Sequence, residues 1–212
     1  MKRTWSQRTL AIAIMLLCTL TTFSQSKIPA LDQSGMDMSY YPPNYPILKI
    51  QDKVTEPLVV RVVYSRPQKN GRTVFGQLVE FDKVWRMGAN EATEIEFYRD
   101  VLFLGKPVPK GRYTLYSIPG LTKWTVILNK ETDTWGSFIY DEKKDLLRVE
   151  VLAEKTPEPV EYFSLFFEKA VQGFNMIAAW DDLMISVPIS VYVKPSRIAS
   201  KTPVKTPVKK AG

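Results

Sequence analysis

The chain has 212 residues, 45% of them apolar and 12% aromatic, enough for one ordinary hydrophobic core, and it carries a formal charge of +7, one cysteine and no histidine. The charge sits at the ends: residues 1–24 hold three cations and residues 194–212 hold six, neither with an acid, so residues 25–193 carry a net −2. Without histidine there is no imidazole base and no Ser-His-Asp triad; if the sole thiol is removed with a leader, disulfides, thiolate nucleophiles and the usual nitrogen and sulfur zinc or copper sites go with it.

Lys2, Arg3 and Arg8 precede an apolar run from Leu10 to Leu20, too short to span a bilayer but suited to the middle of a signal peptide. Thr22 and Ser24 fit cleavage before Gln25, so residues 1–24 are expected to be a signal peptide that takes Cys18 with it. Leu17 is larger than the small residue a lipoprotein site needs ahead of that cysteine. The expected location is therefore periplasmic or extracellular, with no transmembrane segment left after signal removal.

Residues 25–46, rich in Pro, Tyr, Met, Asp and Ser, show neither helix nor strand period and read as a flexible or extended leader. Residues 47–192 read as a single β domain. Within it Val59-Val60-Arg61-Val62-Val63-Tyr64 is a β-branched run ahead of an Asn70-Gly71 turn. Ile95 and Phe97, Tyr113 and Leu115, and Trp124, Val126 and Leu128 alternate with outward residues. The same period recurs at Leu147-Val149-Val151, Phe163-Leu165-Phe167, Met176-Ala178-Trp180 and Ile185-Val187-Ile189-Val191, with Asp181-Asp182 as an expected tight hairpin connection. The expected fold is an all-β, antiparallel β-sandwich of about eight to ten short strands, with an irregular or short helical insert near residues 72–88. Residues 193–212 form a basic, Pro-rich tail with the tandem Lys201-Thr202-Pro203-Val204 and Lys205-Thr206-Pro207-Val208. A solvated tail accounts for its charge, and no nucleic-acid partner is expected.

Polar chemistry concentrates at Trp85-Arg86-Met87-Gly88-Ala89-Asn90-Glu91-Ala92-Thr93, just ahead of a strand. With Tyr64-Ser65-Arg66-Pro67, Gly71-Arg72, Phe75-Gly76, Gly111-Arg112-Tyr113-Thr114-Leu115, Ile118-Pro119-Gly120, Trp124-Thr125-Val126-Ile127 and Trp135-Gly136, this segment resembles the bacterial exported family known as domain of unknown function 2911, over about residues 47–192. The resemblance implies a secreted or periplasmic β protein and carries no activity over to any position. Met87 departs from it, since a small polar residue is expected there.

The candidate ligand site is Tyr64, Arg66, Trp85, Arg86, Asn90 and Glu91: guanidinium groups for an anion or hydroxyl, aromatic faces for stacking, an amide and a carboxylate. A small polar ligand, a glycan, a small anion or an envelope partner would suit it. The competing reading makes Arg66, Arg86 and Glu91 an internal ion-pair network and Trp85 core. Glu94 and Glu96 share a strand face about 6.5–7 Å apart, the basis of an alternative reading as a carboxylate-based, glycosidase-like hydrolase. A purely structural envelope subunit is a third reading. No catalytic residue, metal or cofactor is assigned; the oxygen-bearing loops around Asn129–Gly136 and Asp141-Glu142 do not match the spaced calcium loop.

Overall fold

The computed structural model describes residues 28–193; the expected signal peptide, and the basic tail beyond Val193, lie outside the described residues. The chain divides into two units, 1–32 and 33–212. Of the first, residues 28–32 are described and carry neither helix nor strand; all the structure below belongs to the second.

Among the described residues, nine antiparallel strands make one open sheet: β1 (Met36–Tyr41), β2 (Val60–Ser65), β3 (Glu94–Phe97), β4 (Val101–Phe103), β5 (Lys106–Val108), β6 (Gly111–Ile118), β7 (Lys123–Asn129), β8 (Asp145–Lys169) and β9 (Phe174–Val191). The order across the sheet is β1-β2-β3-β6-β7-β8-β9-β4-β5. A six-residue helix, α1 (Tyr45–Ile50), follows β1, and a 3-10 turn at Glu142–Lys144 precedes β8. The fold is all-β and sandwich-like, and the stretch around residues 72–88 is irregular, with an isolated Phe75–Val79 bridge and no helix.

Two strands depart from the expected short lengths, and both departures have a local cause. β8 runs 25 residues, joining what read as two strands, and changes partner on the way: Lys123–Asn129 pairs with its first part and β9 with the rest. Register shifts between Lys155 and Val160 and between Val160 and Ser164 let it bend so that the sheet folds over itself. β9 likewise runs through Asp181-Asp182 without the expected hairpin turn. Asp181 has φ 53°, and the buried parity flips there, from Met176, Ala178 and Trp180 to Leu183, Ile185 and Val187. The ladder is irregular at the same place, residues 155–164 of β8 facing only residues 179–183 of β9, so Asp181 sits in a bulge of the β8–β9 pairing whose extra residues lie on β8.

The leader reading also changes, because Met36–Tyr41 forms the edge strand β1, paired with β2 from Met36–Ser65 to Tyr41–Val60. Beyond β2 the fold-over is held at Pro67–Lys69: Phe163 N donates to Pro67 O at 3.0 Å and Lys69 N to Glu161 O at 2.7 Å. The core lies inside, built from the inward residues of β2, β3, β6, β7, β8 and β9. A smaller cluster of Ala92, Tyr116 and Ile127 sits on the other side of the sheet with Val84, Ile118 and Tyr140.

Candidate functional site

Residues 66–93 connect β2 to β3 as a long irregular loop, and its shape follows from a few anchors. Asp181, 6% exposed at the β8–β9 bulge, accepts from Lys69 Nζ and, at 3.1 Å, from Val74 N, tying the first half of the loop down. Burial pushes the Asp181 carboxyl up, but the Lys69 ammonium and the Val74 N–H outweigh it and leave its pKa below the ordinary value. In the second half, Trp85 exchanges backbone hydrogen bonds with Ser117 at 2.7 and 2.9 Å.

That bridge sends the Trp85 ring into the core. It stacks on Trp180 at 5.9 Å between centroids and meets Phe163 at 5.1 Å, Phe75 at 6.0 Å and Trp124 at 6.1 Å, while its Nε1–H donates to Gly88 O. The chain then turns sharply. Met87 has φ 52°, Gly88 φ 154° and Asn90 φ 58°, and the turn is closed by Thr93 N donating to Arg86 O and Thr93 Oγ1 to Met87 O. A left-handed backbone explains why a small polar residue was expected where Met87 stands. A Cβ on Gly88 would lie 3.1 Å from Ser65 O, so Gly88→Ala is expected to lower the unfolding free energy by about 1–3 kcal/mol, read from urea unfolding.

The six predicted site residues do not converge. Tyr64 and Trp85 are core, with Tyr64 edge-on to Phe163 at 5.8 Å. Arg66 is a staple across the fold-over: it donates to Asp37 Oδ2 at 3.0 Å, to Phe163 O at 3.3 Å and to Ser164 Oγ at 3.0 Å. Asn90 holds the neighbouring loop, its carbonyl accepting from Gly136 N at 2.9 Å. Glu91 is exposed opposite Trp135, facing a hollow of about 350 Å³ shared with Met36 and Val63. Neither Arg66 nor Arg86 pairs with Glu91, so the expected internal network is absent from the described residues. Glu94 is engaged by Arg112 at 3.2 Å and Glu96 by Arg61 at 2.7 Å, each inside a cross-strand ion pair on the sheet's outer face.

Arg86 has no ion pair among the described residues. Its Nε is buried with no hydrogen-bond partner, and burial is the one cause that lowers its pKa from the ordinary value. It lines a cavity of about 200 Å³ with Arg72, Trp85 and Trp180, and no carboxylate is among the lining residues. Arg72 reaches this wall from the Asn70-Gly71 turn, its Nε donating to Lys69 O at 2.9 Å and its Nη2 to Gln68 O at 2.6 Å. Taking a guanidinium out of water without a counter-charge costs free energy that an incoming anion would offset. Sequence reasoning missed Arg72 as a partner of Arg86. The one signal was that Gly71-Arg72 and Trp85-Arg86 fall in the same loop.

The strings that looked family-specific meet here: Ala92 N donates to Thr134 O, Gly136 N to Asn90 O, and Trp85 packs on Trp124. No curated protein and no solved structure matches the chain. A family model described as "Protein of unknown function (DUF2911)" matches residues 46–189, which run from ahead of β2 into β9 and include both Arg72 and Arg86, and the chain therefore belongs to the DUF2911 family.

Proposed function

We propose that this protein is an exported, non-catalytic module that binds a small anionic ligand in the Arg72–Arg86 cavity. The signal-like run behind Lys2, Arg3 and Arg8 supports export. The observation that carries the binding reading is the buried, unpartnered Nε of Arg86 in a cavity without a carboxylate. A guanidinium presents a rigid fork that matches a carboxylate or phosphate with two parallel hydrogen bonds. Glu94 and Glu96, held by arginines of their own, favour this reading over carboxylate-based hydrolysis.

The test is a thermal-shift and calorimetric titration of the protein with small carboxylates and phosphate, repeated on Arg86→Gln. A charge-assisted hydrogen bond contributes about 1.5–3 kcal/mol, so the variant is expected to bind roughly ten- to a hundredfold more weakly while keeping its fold. Binding should also weaken as salt is raised. Equal affinity in a folded Arg86→Gln variant would remove this site from the account.

A further inference from the structure

We infer that this protein attaches peripherally to an anionic lipid surface: the loop between β7 and β8 inserts Trp135, Phe138 and Ile139, and the basic segment after Val193 supplies the electrostatic attraction. The inference is independent of the Arg72–Arg86 cavity.

The loop turns its largest apolar side chains outward. Phe138 is 85% exposed, Ile139 67% and Trp135 57%. The backbone around them is pinned: Ala92 N donates to Thr134 O at 3.0 Å, Gly136 N to Asn90 O at 2.9 Å and Ser137 Oγ to Val84 O at 3.1 Å. Just beyond, Tyr140 turns inward, edge-on to Tyr116 at 5.2 Å between centroids, with its hydroxyl donating to Asp145 Oδ2 at 2.6 Å. The Phe138 ring lies over Gly136, where φ is 66° and a Cβ would stand 2.8 Å from the Phe138 Cε2. The three side chains therefore stand on a fixed platform, and seating them in a partner costs little backbone entropy.

Size, chemistry and charge select that partner. From ordinary side-chain areas the patch offers on the order of 400 Å², about half of the roughly 800 Å² that each side gives to a stable protein–protein interface. An indole beside a phenyl ring and a branched aliphatic chain suits the membrane–water boundary, with the indole at headgroup level and the other two below it. A patch this small holds a lipid surface only with a second signal, and residues 194–212 carry six cations and no acid. Those nineteen residues can span up to about 60 Å, more than the roughly 40 Å width of a domain of this size, so the segment can reach the surface that the loop engages. Repulsion from the loop's own acids is largely neutralised: Glu131 pairs with Lys144, Asp133 with Arg112 and Glu142 with Arg148. Exposed Lys130 and Lys143 flank the loop without an ion pair among the described residues.

The experiment sediments the protein, as processed by its producing cell and with its N-terminus read by mass spectrometry, with vesicles of phosphatidylcholine alone or mixed equally with phosphatidylglycerol. Quenching of tryptophan emission by brominated lipid reports insertion. The wild type is compared with Phe138→Ser/Ile139→Ser, with Phe138→Leu/Ile139→Leu, and with a full-length chain carrying Lys201→Gln, Lys205→Gln, Lys209→Gln and Lys210→Gln. The wild type is expected to bind the mixed vesicles about tenfold or more tightly than the neutral ones, with quenching, and to weaken as salt is raised. The serine pair and the glutamine variant should each lose about tenfold or more, whereas the leucine pair keeps its binding. Both positions are exposed, so the serine pair should keep the wild-type urea midpoint, which verifies its fold. Binding to neither vesicle, or equal binding by the serine pair, would overturn the inference. Undiminished binding by the glutamine variant would overturn the role of the basic segment. A wild-type dimer in sedimentation velocity that the serine pair dissociates would assign the patch to a second copy of the chain instead.

Discussion

Replacing Trp85 by alanine is expected to lower the unfolding free energy by about 3–5 kcal/mol, the range for removing a large aromatic from a packed core. Trp85 is 6% exposed and is the ring that Phe75, Trp124, Phe163 and Trp180 all touch. Each of those four belongs to a different part of the chain: the long loop, β7, β8 and β9. Removing the indole opens a void that none can close without leaving its own strand. Trp85→Phe should cost less, because a ring remains and only part of the volume and the hydrogen bond to Gly88 O are lost. Urea unfolding measures both, and the near-UV circular dichroism of the stacked Trp85–Trp180 pair should collapse in the alanine variant at low denaturant. A cost under about 1 kcal/mol would show that Trp85 is not packed as described.

The second large effect is at Asp181. Changing it to asparagine keeps an oxygen for the Val74 N–H and tolerates φ 53°, but it leaves Lys69 without its counter-charge. Breaking a buried ion pair from one side costs about 3–5 kcal/mol; with the Lys69 side chain 22% exposed, about 2–3 kcal/mol is expected here. Asp181→Ala should cost about 1 kcal/mol more, for the left-handed backbone and the lost acceptor.

The pH dependence has a definite sign. The folded carboxyl of Asp181 titrates below its unfolded value, so its stabilising contribution is fully present above the unfolded carboxyl pKa of about 3.9. The contribution is lost as pH falls through the lower, folded value. The gap between wild type and Asp181→Asn should therefore be widest near neutrality and narrow in acid, measured as the difference in urea midpoints from pH 7 to pH 3. A gap that widens in acid would contradict the assignment.

Much of the fold was legible because period two is a strong signal where one face is buried. Val60-Val62-Tyr64, Ile95-Phe97, Leu115 and Trp124-Val126-Leu128 all face the core as their alternation implies. Asp181 misled for a physical reason: a charged pair between two apolar alternations reads as a turn, and a bulge produces the same break in parity while the strand continues. β1 escaped notice because as an edge strand it turns Met36 and Met38 outward at about half exposure, which blurs the inside–outside contrast.

The site was legible only in part. Residues adjacent along an extended segment point to opposite sides, so the six residues that looked clustered in sequence are distributed between core, fold-over and surface. Arg86 was within the predicted set. Arg72 was not, because nothing local marks two arginines fourteen positions apart as neighbours; the Asp181 anchor that holds the loop between them is itself about a hundred residues downstream.

Whether Arg86 is held for a ligand or for the fold is measured most directly by urea unfolding of ligand-free Arg86→Met against wild type. A half-buried guanidinium with no counter-charge costs stability until an anion arrives, so an apolar side chain of similar length should unfold at higher urea, by about 1 kcal/mol, and should no longer be stabilised by added carboxylate. A methionine variant less stable than the wild type in the absence of ligand would show that the protein itself satisfies Arg86, and would contradict the anion-site reading.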